Sequence, residues 1–171
     1  MNDFQRIRKV TFNHIRNRLF STRMMIMFPI LILFIPGMAW GFSDPNVMLP
    51  GGIEPSSSIE VMFYTSLGIV FGATMCGVLL SFDGVSKDRA SGVLEIKLAQ
   101  PMPRTHQSTA LVLGHWIAIL IPTWILWGLS FLIVKHRMGD WPEIIDLITS
   151  FMSVGFILLW YVLFSLIASS H

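Results

Sequence analysis

Charged side chains are missing from four long apolar stretches of the chain: between Arg23 and Asp44, between Glu60 and Asp83, between Arg104 and Lys135, and after Asp146. A hydrocarbon core of about 30 Å is crossed by about 20 helical residues rising 1.5 Å each. The stretches therefore predict transmembrane helices over 24–42, 59–82, 108–134 and 147–169. They form one transmembrane domain over 24–171, with a polar loop over 83–107 between helices two and three. Pro29 and Pro36 predict bends in helix one, and Pro122 predicts one in helix three. In helix two, Gly68, Gly72, Ala73, Cys76 and Gly77 fall at overlapping small-xxx-small spacings, which let another helix approach closely. Gly68, Gly72 and Gly77 are the candidate packing residues.

Ahead of the first span, residues 1–23 hold six of the twelve Lys and Arg residues: Arg6, Arg8, Lys9, Arg16, Arg18 and Arg23. Phe4, Ile7, Ile15 and Leu19 fall on one side of a helix there, with Phe12 near the edge and Arg8 and Arg18 interrupting. This pattern predicts an amphipathic, basic helix lying on an anionic leaflet, its long side chains reaching the headgroups. A secretory signal peptide fits less well, although Ala39 and Gly41 resemble a small-residue cleavage site. The apolar run exceeds the usual h-region of about 7–15 residues, and a long basic helix precedes it. The expected fold class is all-α: a polytopic membrane protein with an interfacial helix, four spans, and a short surface helix between spans two and three.

Composition narrows the function classes. Only 13% of the 171 residues are charged and 53% are apolar, against roughly 25% charged in soluble domains. The net charge of +2 is not the dense basic stripe of a nucleic-acid binder, so nucleic acid is excluded as a partner. The single cysteine, Cys76, excludes an internal disulfide. Orientation follows from the basic residues beside the spans. The first segment has six and the 83–107 loop has four (Lys87, Arg89, Lys97, Arg104), whereas the other two loops have none and two (Lys135, Arg137). This places the amino terminus and the middle loop in the cytosol, and four crossings return the carboxyl terminus there. Trp40, Trp116 and Trp141 are expected at membrane edges, and Glu60 near the outer end is expected to be interfacial.

The 83–107 loop holds the functional signal. Ala90, Leu94 and Leu98 recur every four residues, predicting a short helix with one apolar side and Lys87, Asp88, Glu95 and Lys97 as its polar decoration. Pro101 and Pro103 end it. Gly92 disfavours a helix interior by about 1 kcal/mol relative to Ala and indicates a turn or a close backbone approach. The run Gly92-Val-Leu-Glu95-Ile-Lys-Leu98-Ala-Gln-Pro101-Met-Pro-Arg104, with Gly114 ten residues on, resembles the signature loop of type-two ABC exporter permeases. In that family an acidic residue precedes Gly-Thr-x-Glu/Asp-x-x-Leu-x-x-Pro-x-x-Arg, and Gly-Lys opens the third helix. Here Val93 stands for the Thr and His115 for the Lys, and four helices stand where the family has six. Half of a split permease, a truncated product and a shortened relative are all open.

The resemblance implies a permease subunit of an ABC transporter, driven by a cytosolic ABC ATPase subunit and working with a second permease copy or a complementary half. No Walker Gly-rich loop followed by Gly-Lys-Ser/Thr occurs, so the ATPase is expected on another chain. Ala90 to Leu98 would be the cytosolic coupling helix. The implied coupling residues are Lys87, Asp88, Arg89, Gly92, Leu94, Glu95, Leu98, Pro101 and Arg104. Glu95 and Arg104 are candidates for charge-assisted contacts, or for pairing with each other.

Enzymatic readings find little in the sequence. His14, His106, His115, His136 and His171 form no two-histidine metal spacing, and interfacial hydrogen bonding suits His106 and His115. Ser165, Ser169 and Ser170 lie in an apolar helix where hydroxyls bond back to preceding carbonyls, and no Gly-x-Ser-x-Gly elbow is present. Met24, Met25 and Met27 are read as packing surface and not as copper(I) ligands. No acid or base sits mid-span to relay protons. No catalytic residue, cofactor or metal is expected. A four-helix membrane assembly or scaffold protein without transport is the alternative; an intramembrane hydrolase would need a paired nucleophile and base at one depth.

Overall fold

The computed structural model describes residues 3–48, 50–52, 54, 56–82, 85–92 and 103–170. Among these the chain is helical, with no strand. Helix α1 covers Asp3–Leu19, α2 Thr22–Phe42 and α3 Ser58–Ser81. Helix α4 is the short Ser86–Ala90, α5 runs Arg104–Met138 and α6 Ile144–Ser170. Helices α2, α3, α5 and α6 are each long and apolar enough to cross a membrane, matching the four charge-free stretches.

Local chemistry sets where the helices begin and end. The Ser21 hydroxyl accepts the Met24 N–H at 3.3 Å and donates to the Arg18 carbonyl at 2.7 Å, capping α2 two residues before its expected start. Ser57 caps α3 by accepting the Glu60 N–H at 3.4 Å. The Glu60 carboxylate reaches back to the Ser56 N–H at 3.0 Å and hydroxyl at 2.7 Å. This is a capping box displaced by one residue, so Glu60 serves the helix start. Helix α5 begins directly after Pro103, four residues before the expected start, and continues through Lys135 and Arg137. It stops at Gly139, whose φ of 76° lets its N–H reach the Lys135 carbonyl at 2.8 Å. Lys135, His136 and Arg137 suit that carbonyl-rich end, so they belong to a helix where a loop was expected.

Two helices contain a wide π turn, Leu33–Gly37 in α2 and Ile69–Ala73 in α3. Pro36 lies in the first. Its ring lacks an N–H and crowds the carbonyl four residues earlier, which a wider turn relieves. The two π turns face one another, and glycine makes the approach possible. A Cβ on Gly68 would overlap the Phe34 carbonyl oxygen, and one on Gly72 would lie 2.7 Å from the Phe34 Cβ. Gly77 is different: an added Cβ would come no nearer than 3.8 Å to Val162.

The core runs between the four long helices and includes Leu31, Ile35, Val61, Ile69, Ile119, Trp127, Leu158 and Val162. Three tryptophans on one side of α5 join it to α6. The indole N–H of Trp116 donates to the Gly155 carbonyl at 2.9 Å, that of Trp124 to the Phe151 carbonyl at 3.1 Å, and that of Trp127 to the Ser150 hydroxyl at 3.3 Å. A ring that is apolar except for one donor suits such an interface. Trp116, expected in an edge belt, thus serves a helix–helix contact.

Helix α1 lies along the first part of α5. Ala110 is fully buried, and a Cβ on Gly114 would meet the His14 Cβ at 2.5 Å. The apolar stripe expected on α1 therefore divides. Ile7, Ile15 and Leu19 turn inward with Thr11 and His14, while Phe4 and Phe12 are exposed. The long helices also carry apolar side chains outward, among them Phe63, Phe71 and Met75 on α3 and Ile148, Met152, Phe156 and Phe164 on α6.

Candidate functional site

One end of the bundle gathers the described part of the 83–107 loop, the start of α5, the last turns of α3 and α6, and α1. Lys87, Asp88 and Arg89 lie on α4. The helix stops at Ala90, and Gly92 follows with φ of 71°, a conformation that favours glycine. Its N–H donates to the Arg89 carbonyl at 3.2 Å. Helix α4 therefore ends where the expected 90–98 helix begins, and residues 93–98 of that expectation lie outside the described residues. Leu94, Glu95, Leu98 and Pro101 lie outside the described residues. Arg104 is the exposed first residue of α5.

Helix α4 is short but anchored at several points. The Ser169 hydroxyl oxygen, near the end of α6, accepts the N–H groups of Val85 and Ser86, each at 3.2 Å. Those are donors that a helix start leaves without intrahelical partners. The Arg89 guanidinium donates to the Ser170 carbonyl at 3.0 Å, one of the acceptors left open where α6 ends. One turn earlier, the Ser165 hydroxyl donates to the Val78 carbonyl of α3 at 3.1 Å. Ser165 and Ser169 were expected to bond within their own helix, and both instead tie α6 to its neighbours. Ser170 alone bonds back, to Ile167 at 2.6 Å. Helix α1 joins this assembly through Arg18, which donates to the Leu80 carbonyl near the end of α3 at 3.3 Å.

His115 is buried at the α1–α5 contact, its ring 6.3 Å from that of His14. Its Nδ1 lies 2.9 Å from the Leu111 carbonyl, so that nitrogen carries the proton. The residue found where the resembled family has Lys is therefore an interhelix side chain. His106, at the start of α5, has its Nδ1 buried with no hydrogen-bond partner among the described residues.

The opposite end is held by a second polar cluster. The Arg137 guanidinium donates to the Asp44 carboxylate at 3.0 Å and to the Trp40 carbonyl at 3.3 Å, and it lies 4.5 Å over the Trp40 ring. Lys135 lies 4.6 Å over the Trp141 ring. Ser58 donates to Asp140 at 3.0 Å. Donation from the Asn46 backbone N–H is the largest influence on the Asp44 carboxyl and holds it below its ordinary range. Partial desolvation opposes this, and the Arg137 guanidinium reinforces it.

Among the described residues, no three His, Cys, Asp or Glu side chains gather to hold a metal. The hydroxyls of Ser165, Ser169 and Ser170 are all engaged with backbone groups. Hydrogen bonds bring Arg89 to the end of α6 and Gly92 to Arg89, whereas Gly68 and Gly72 sit between α2 and α3. Ser169 has no local signal: its partners lie 83 and 84 positions away in the chain. The tryptophan stripe is different, since Trp116, Trp124 and Trp127 share one helix face with Leu120 between them. No protein-family model, curated protein or solved structure matches this chain.

Proposed function

We propose that this chain is the membrane-spanning permease subunit of an ABC transporter of the exporter type, driven by a separate cytosolic ATPase subunit. In this reading α2, α3, α5 and α6 cross the cell membrane. Both termini and the 83–107 loop lie in the cytosol, on the basic residues beside the spans. The outward apolar side chains of α3 and α6 support that placement, because a water-exposed surface of this kind is unfavourable.

The observation that carries the proposal is the attachment of α4 at both ends of its reach. It continues from α3 through the chain and is bonded to the end of α6 by Ser169 and Arg89. A displacement of the loop by a closing ATPase pair would therefore pass to two spanning helices at once, and switching between two packed arrangements needs such a stiff link. The run from Gly92 to Arg104 supports the family assignment by its residue types and spacing.

The test is copurification in mild detergent together with ATPase measurement. An ATP-binding subunit is expected to copurify. Gly92→Pro is expected to abolish stimulation of that ATPase by the permease, since proline fixes φ near −65° and removes the N–H donor. Absence of any ATP-binding partner, or unchanged stimulation in Gly92→Pro, contradicts the proposal.

A further inference from the structure

The outward face of α1 is built differently from its inward face. Phe4, Arg8, Phe12, Arg16 and, one residue beyond the helix, Phe20 follow each other at four-residue steps. Gln5, Lys9, Asn13 and Asn17 run beside them. All nine are exposed, and the three aromatic rings are 75%, 63% and 75% accessible. Residues four apart on a helix are neighbours on its surface, so this face alternates aromatic rings with guanidinium groups. It contains three cationic side chains and no acidic one. Gln5, Arg8, Lys9 and Phe12 line an open groove of about 430 Å³. The opposite face is occupied by α5, through Thr11, His14 and Gly114.

The geometry points to a binding surface for anionic phospholipid, with a headgroup phosphate held by Arg8 and Lys9 beside Gln5, and Phe4, Phe12 and Phe20 set into the acyl boundary. Three features of the face select this partner. Only Phe20 and Ser21 separate α1 from the first spanning helix, which holds it near the bilayer. Exposed aromatic rings are unfavourable in water and favourable at the acyl boundary. The charge of the face is complementary to an anionic leaflet. An acidic protein surface would satisfy the cations and leave the rings without an apolar environment. The inference rests on the membrane placement proposed above and is independent of transport.

The test uses the full chain in mild detergent and a fluorescent phosphatidylglycerol as probe. Saturable retention is expected, with unlabelled phosphatidylglycerol competing and phosphatidylcholine and inorganic phosphate competing weakly. Each basic residue near an anionic surface contributes about a fivefold preference, so R8Q with K9Q is expected to weaken retention about 25-fold to 30-fold. The charge-preserving pair R8K with K9R is expected to retain the lipid, which separates loss of charge from loss of fold. Undiminished retention by the neutralised pair overturns the inference. So does equal competition by phosphatidylcholine, or displacement by inorganic phosphate, which would indicate a small-anion site. Loss of an acidic partner protein from the neutralised pair, with lipid retention intact, would make the face a protein contact and also overturn it. Lipid retention in detergent does not depend on sidedness or on an ATPase, so its failure is distinguishable from failure of the permease reading.

Discussion

The glycines of α3 differ in consequence although they share one sequence pattern. A Cβ on Gly68 has no space, because the obstacle is the Phe34 backbone carbonyl, whereas the neighbours of Gly77 stand at ordinary contact distance. Gly68→Ala should therefore cost about 3 kcal/mol through forced separation of α2 and α3. Gly77→Ala should change stability by no more than about 0.5 kcal/mol. Thermal unfolding of the two variants in one detergent compares them directly. Small-residue spacing made the stripe legible in the sequence, but which member is indispensable depends on a partner backbone in another helix. Asp44 provides a pH test at the same scale. Its carboxyl is held below 3.8, so its stabilising contribution is complete above that value and is lost as pH falls through the lower folded pKa. The thermal midpoint should show no dependence on this group between about pH 5 and 8. Below its folded pKa, wild type should converge on Asp44→Asn.

At the scale of elements, helix existence was legible because charge-free runs have no other stable arrangement than spanning or burial. Boundaries were legible only in part. The Ser57-x-x-Glu60 spacing carries a start signal for α3, and Gly139 with the preceding basic residues carries a stop signal for α5. The charge-free runs alone place those boundaries at 59 and 134 and leave Lys135 to Arg137 in a loop. The π turn of α2 has a local cause in Pro36, whereas that of α3 contains no proline and has no such signal. The anchoring of α4 was equally hidden, because a serine in an apolar helix has the same local sequence whether it bonds to its own turn or to another helix. Removing the Ser169 hydroxyl leaves two N–H groups at the start of α4 without an acceptor. Ser169→Ala should weaken that helix locally by about 1 kcal/mol. Faster amide hydrogen exchange over 85–92, with exchange in the middle of α5 unchanged, would show it. Equal acceleration everywhere would indicate a global loss of stability instead.

For the molecule as a whole, the two ends of the bundle are held by different chemistry. At the α4 end, side chains bond mainly to backbone carbonyls and N–H groups at helix termini, through Arg18, Arg89 and Ser169. At the other end, side-chain charge and aromatic faces meet, through Arg137, Asp44, Trp40 and Trp141. In the proposed reading the first is the cytosolic end and the second the outer rim. The residue spacing within the 83–107 loop is local, whereas the attachment of α4 to α6 depends on residues more than eighty positions away and left no mark in the sequence. The central claim is that four helices cross the membrane and leave the 83–107 loop in the cytosol. A cysteine introduced by Lys97→Cys, in a Cys76→Ser background, tests it with an impermeant maleimide on sealed vesicles of known sidedness. Modification is expected only when the cytosolic face is accessible. Modification from the external face of right-side-out vesicles would contradict the account.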